Sequence, residues 1–204
     1  MNFLAHLYLA QPTVEHRLGN LLADFIKGAV RQQFSVEMQA GMKHHQQIDS
    51  FTDCHPVVRH SKRLISPAHR RMAGILVDIF YDHHLACHWS EYSDVPLATF
   101  TQEIYRSFQT YSGWLPTDVH ILLNRIAAED WLTQYQSIEG IETTLSRLSR
   151  RISHRWQRSV NLCPAIEDWL THYPTVAQDF AQFFPDMIQH CHTLDQVGSK
   201  DRWH

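Results

Sequence analysis

The chain has 204 residues, 44% of them hydrophobic and 11% aromatic, enough apolar side chain for one compact domain over 1–204 with a substantial core. A formal net charge of −3 argues against a polycation built to bind nucleic acid, and seven glycines and eight prolines leave little room for disordered linkers. Cys54, Cys87, Cys163 and Cys191 form no Cys-x-x-Cys pair, which excludes a zinc knuckle, and the apolar opening at 1–10 is too short to span a bilayer. Reduced thiols in a cytoplasmic protein, without membrane or nucleic-acid partners, are the expectation.

Apolar residues recur at three and four along nearly every segment, the period of a helix, and no β-hairpin signal is present. A short helix is predicted over 2–9 and a second over 16–29, ending near Gly28. A third runs over 35–53 and stops before Pro56, because the residue preceding proline avoids helical torsions. After a helix or turn at 56–65, Ser66-Pro67 has the chemistry of a helix start and opens the long apolar run 67–90. That run is apolar nearly all round, so it belongs in the middle of the bundle.

Pro96 begins a helix to about 111, Thr117 with Asp118 caps one to about 134, and Ser137 with Glu139 one to about 155. From about 160 the chain is expected to break at Pro164, Pro174 and Pro185, and its last eight residues to fray. The fold class is all-α: a single-domain helical bundle.

Three segments place metal-ligand types four residues apart inside these helices: Asn20 and Asp24; His45, Asp49 and Asp53; Asp78 and Asp82. Asn2 and His6 repeat the spacing on the first helix. Residues i and i+4 share a face, with Cβ atoms roughly 5–6 Å apart. Carboxylates turned toward an apolar side must be neutralised, and a divalent cation would do so. Asp24, His45, Asp78 and Asp82 are the leading ligands, with His6 and Asp49 next. A mixed His and Asp set suits Mn²⁺, Mg²⁺ or Fe²⁺ better than a thiolate-loving ion. Such an ion polarises a phosphoryl oxygen and activates water, so phosphodiester hydrolysis is the natural chemistry. Asp24 and Asp49 are candidate catalytic carboxylates, and His83 is the candidate general acid or a partner that orients a ligand.

The same residues carry a family resemblance. Met1-Asn-Phe-Leu-Ala-His-Leu, Gly19-Asn-Leu-Leu-Ala-Asp-Phe, the His45-x-x-x-Asp49-x-x-x-Asp53 stripe and Asp78-x-x-x-Asp82-His83-x-Leu85 resemble the acyl carrier protein phosphodiesterases, along essentially the whole chain. The resemblance implies an all-α, divergent HD-domain-like phosphohydrolase of fatty acid biosynthesis. Its implied reaction removes 4′-phosphopantetheine from holo-acyl carrier protein with the help of a divalent cation, usually Mn²⁺. The adjacent His-Asp doublet that names HD enzymes is absent, and the order is reversed at Asp82-His83. Gln46 and Gln47 stand where relatives tend to carry arginines.

A strongly acidic carrier calls for a basic face. Arg147, Arg151, Arg155 and Arg158 repeat at four, four and three along the helix beginning near 137, and the first three are the candidate carrier-binding residues. Trp89, Tyr92, Trp114, Trp131 and Tyr135 are candidates to line a cleft for the pantetheine arm, with core packing as their other role. Two alternatives remain at this stage. One is an HD-like hydrolase of a nucleotide or another small phosphoester; the other is a non-catalytic module that binds an acidic carrier.

Overall fold

The computed structural model describes residues 3–200; Asn2 and His204 lie outside the described residues. Among the described residues there is no strand, and the chain forms ten α-helices joined by turns and short 3-10 segments. They are α1 (Phe3–Leu9), α2 (Val14–Leu22), α3 (Val36–Cys54), α4 (Pro56–Leu64) and α5 (Ala73–Cys87), followed by α6 (Leu97–Gln109), α7 (Thr117–Ala128), α8 (Ile138–Trp156), α9 (Ala165–Thr171) and α10 (Tyr173–Lys200).

Local chemistry explains many of the boundaries. Thr13 caps α2 by accepting from the His16 N–H, and Ser35 caps α3 by accepting from Met38. Ser137 caps α8 through the Gly140 N–H, as its position in the sequence predicts. Pro56 opens α4 at a position where its missing N–H costs nothing.

Helix α5 is the central element. Leu76, Val77, Ile79, Phe80, Tyr81 and Leu85 are essentially inaccessible, and α5 packs against α1, α4, α8 and α10. Helices α2 and α3 pack most intimately of all. A Cβ on Gly19 would lie 2.0 Å from the Met38 carbonyl oxygen, and one on Gly41 would lie 2.2 Å from that of His16. Only glycine at both positions lets the two backbones touch.

Four boundaries differ from the sequence expectation. Helix α2 ends at Leu22 instead of near Gly28, so Asp24 sits in the following turn and not on the helix. Ser66-Pro67 opens a turn; α5 starts only at Ala73, after a 3-10 segment at Arg70–Met72. Helix α7 stops at Ala128 because Asp130 takes a left-handed φ of 45°. The Asp130 carboxylate accepts from the Tyr105 hydroxyl at 2.8 Å, and that oxygen accepts from the Leu132 N–H at 2.9 Å. Finally, α10 runs through Pro185, which was expected to break it. The lost hydrogen bond is offset by Phe183, Phe184 and Met187, all fully buried around it. The expectation of fraying reaches past Lys200, outside the described residues; up to that point the helix continues.

Candidate metal centre and its cavity

Helices α1, α2 and α3 bring His6, Asn20, His45 and Asp49 together. Asp49 sits between both imidazoles: its Oδ1 lies 3.2 Å from His6 Nε2 and its Oδ2 lies 3.1 Å from His45 Nε2. The two rings stack with centroids 4.0 Å apart at an interplanar angle of 15°. One ligand atom from each of His6, His45 and Asp49 lies within 4.8 Å of the others. Metal bonds of roughly 2.0–2.2 Å place adjacent ligand atoms roughly 3 Å apart, so small movements close this set around one divalent ion. Asp24 flanks it, with Oδ1 3.6 Å from His45 Nε2.

Asn20 fixes the orientation of His6. The Asn20 Oδ1 can only accept, so His6 Nδ1 donates to it at 2.8 Å, which leaves the Nε2 lone pair facing Asp49. The Asn20 amide nitrogen donates in turn to His44 Nδ1 at 3.1 Å. Asn20 is fully buried and acts through His6, whereas its spacing from Asp24 suggests a shared ligand face.

The protonation pattern shows what the cluster lacks. Burial pushes His6 down to about 4, with the charge of His45 adding to the effect. Burial also opposes charge on His45, but hydrogen bonds to Asp24 and Asp49 hold it up to about 9. Burial alone would raise Asp49, yet hydrogen bonds from His45 and His6 outweigh it and hold the carboxyl far below the usual range. The hydrogen bond from His45 also lowers Asp24. The contacts of His45 Nε2 to the two carboxylates are close but poorly aligned for hydrogen bonds, and its buried Nδ1 has no hydrogen-bond partner among the described residues. A proton on His45 sits where a cation would satisfy the same carboxylates and both imidazoles. The residues fit such an ion.

A cavity of about 690 Å³ adjoins the cluster. Asp24, Asp49, Asp53 and Asp78 line its acidic part. Phe3, Phe25, Ile79, Leu122, Trp131 and Leu148 supply apolar wall, and Arg125, Arg147, Arg150 and Arg151 bring positive charge. Burial pushes the Asp78 carboxyl up, the opposite direction from Asp24.

Two expected site residues are placed elsewhere. Asp82 is fully buried, and its Oδ2 and Oδ1 accept from the backbone N–H groups of Leu4 and Ala5 at 2.8 and 3.0 Å. It anchors the start of α1, which carries His6, so both of its oxygens are engaged by backbone and not by the His6–His45–Asp49 cluster. Burial pushes its carboxyl up to about 7. His83 is the second such residue. Its Nδ1 donates to the Tyr135 carbonyl at 2.8 Å and its Nε2 meets the Tyr173 hydroxyl at 3.0 Å, so it has no free nitrogen for acid catalysis. Burial lowers its pKa. Neighbours on a helix point about 100° apart, so His83 leaves the face that Asp78 and Asp82 share.

The arginine stripe divides. Arg147 and Arg151 line the cavity, while Arg155 is exposed outside its lining. Arg147 pairs with Glu129 at 2.9 Å and its guanidinium lies 4.7 Å from the centroid of Trp131. Arg150, an arginine of the basic segment at 147–158, joins the lining, as does Arg125, which the sequence does not single out. Of the aromatic candidates, Trp131 and Tyr135 line the cavity. Trp89 is core, Tyr92 packs on Phe180 and Phe184, and Trp114 is exposed.

An all-helical protein with a two-His, one-Asp cluster beside a cavity holding both carboxylates and arginines has the parts of a hydrolase of anionic substrates. The family model of acyl carrier protein phosphodiesterases matches residues 1–187. Among the relatives bearing that name, one from Pectobacterium atrosepticum is 34% identical, with 93% of this chain and 96% of the relative covered. One from Escherichia coli is 35% identical at the same coverage, and one from Photorhabdus laumondii is 32% identical over 96% of this chain and 97% of its own. The chain therefore belongs to the acyl carrier protein phosphodiesterase family, a family of enzymes. No solved structure matches it significantly.

Proposed function

We propose that the protein hydrolyses holo-acyl carrier protein to apo-carrier and 4′-phosphopantetheine, using a divalent cation held by His6, His45 and Asp49, with Mn²⁺ first and Mg²⁺ or Fe²⁺ as the alternatives. The carrying observation is the convergence of those three ligand atoms within 4.8 Å at the cavity. When bound, the ion polarises the phosphodiester and lowers the pKa of attacking water.

The chain's own groups supply the rest. Asp24 is ionised, accessible and beside the cluster, which suits it to take a proton from the attacking water. Asp78 faces the same cavity with its carboxyl raised by burial, and it takes the leaving-group role expected of His83. Phe25, Leu122, Trp131 and Leu148 offer apolar wall to the pantetheine arm and limit water beside it. Exposed Arg155 remains the candidate contact to the acidic carrier.

Among the described residues no helix is long and apolar enough to cross a membrane, and all four cysteines are free. Both fit the reading of a cytoplasmic enzyme acting on a carrier protein.

The test is mass spectrometry of holo-carrier incubated with the protein, with Mn²⁺ and with chelator. Loss of the phosphopantetheine mass only with Mn²⁺, abolished in Asp49→Asn while helicity is retained, is the expected result. Unchanged holo-carrier in the presence of Mn²⁺ refutes the proposal, and faster turnover of nucleotides moves the substrate to a small phosphoester.

A further inference from the structure

We propose that Arg150 and Arg151 form an anion subsite that holds the phosphate of the prosthetic group by charge, even without the cation. The assignment rests on the reaction proposed above, and it moves Arg151 from the carrier surface to the prosthetic group itself.

Four arginines line the cavity, but they are not equivalent. Arg125 and Arg147 share one counter-charge: Arg125 Nε lies 2.8 Å from Glu129 Oε1, and Arg147 Nη2 lies 2.9 Å from Oε2. Arg150 and Arg151 have no carboxylate partner among the described residues. Two guanidinium groups on one cavity wall without a counter-ion repel each other and gain most from an anion between them.

The location selects the anion. The guanidinium carbon of Arg151 lies 5.0 Å from the centroid of the Phe25 ring, and Phe25 directly follows Asp24, which flanks His45. Arg151 is exposed but held on the Phe25 ring, and it lines the same cavity as Asp24 and Asp49. Stacking on a ring restricts the guanidinium while leaving its N–H edge available, and that planar edge matches two phosphate oxygens. A phosphate reached by Arg151 from one side and by the cluster from the other is positioned for attack. Arg155, one turn further along α8, is outside the cavity. The phosphate monoester of the product carries more negative charge than the diester, so the same subsite should bind released 4′-phosphopantetheine.

The experiment is titration calorimetry of the full chain in EDTA with 4′-phosphopantetheine and, separately, with pantetheine, on the wild type, Arg151→Ala, Arg151→Lys and Arg155→Ala. Each protein is also tested for KM and kcat on holo-carrier with Mn²⁺. We expect the phosphorylated compound to bind the metal-free wild type and pantetheine to bind at least about tenfold more weakly. Arg151→Ala should lose about tenfold in affinity and raise KM, Arg151→Lys should recover part of both, and Arg155→Ala should leave the EDTA titration unchanged. Thermal melts of Arg151→Ala exclude misfolding, and Arg151→Lys keeps the test valid if the alanine variant is unstable. Equal binding of both compounds, no binding in EDTA, or an Arg151→Ala titration like wild type overturns the subsite. If the wild type releases nothing from holo-carrier with Mn²⁺, the proposed reaction falls, while the EDTA titration still decides the subsite.

Discussion

Gly41→Ala tests whether the α2–α3 contact sets the geometry of the metal cluster. The added methyl would stand 2.2 Å from the His16 carbonyl oxygen and 3.0 Å from the Asn20 amide nitrogen. Ordinary contact begins near 3.4 Å, and both obstacles are backbone atoms, so no side chain can move aside. The two helices must separate by about 1 Å. Overpacking of this kind costs about 1–3 kcal/mol, and the upper end applies where backbone has to shift. For a chain of this length that lowers the melting midpoint by roughly 5–10 °C. The separation acts on function through Asn20, which bonds His6 Nδ1 at 2.8 Å and His44 Nδ1 at 3.1 Å. A shift of about 1 Å between α2 and α3 breaks the bond to His44, and loss of such an orienting bond weakens cation binding by about 10–100-fold. The assay is thermal unfolding followed by titration of Mn²⁺ into the folded variant. Gly74→Ala is the control, since its methyl would meet only the end of the Lys62 side chain at 3.7 Å; its stability should stay level or rise. A Gly41→Ala protein with the midpoint and Mn²⁺ affinity of the wild type would refute the reasoning.

Asp82→Ala removes the acceptors for two N–H groups at the start of α1 and should cost about 2–4 kcal/mol in thermal or urea unfolding. If instead stability is kept and only Mn²⁺ binding vanishes, Asp82 is a ligand after all. Asn20→Ala should weaken Mn²⁺ binding by about 10–100-fold, whereas Asn20→Asp, which still accepts from His6, should retain most of it; equal losses would argue against an orienting role. In the metal-free protein, His45 is raised from 6.5 to about 9, so its contribution to stability is full below about 6.5 and is lost as pH climbs through about 9. His6 is lowered to about 4, so its contribution is lost as pH falls from about 6.5 through about 4. Melts across pH in EDTA should show both limbs, and His45→Gln should flatten the alkaline one. Binding of the cation must displace the proton on His45, so Mn²⁺ affinity should rise between about pH 6.5 and 9, and a flat profile there would contradict the assignment.

The periodicity of three and four and the cap at Ser137 depend on local torsions and short-range hydrogen bonds, so the helical class and most element positions are legible in the sequence. The same holds for the central place of α5, most of whose apolar residues are buried. His45 and Asp49 are legible as a pair because i,i+4 spacing alone brings them together. Which of the remaining polar groups join them was decided by packing across long separations. Asp78 and Asp82 share a spacing, yet one lines the cavity and the other caps a helix 77 residues away, because α1 begins against α5 at Asp82. His83, one position on, is turned to Tyr135 and Tyr173 by the same helical rotation. Pro185 is carried through α10 only because Phe183, Phe184 and Met187 find a core to fill. Spacing along one helix determines which side chains share a face; only the approach of other helices determines whether that face meets an ion, a backbone or solvent.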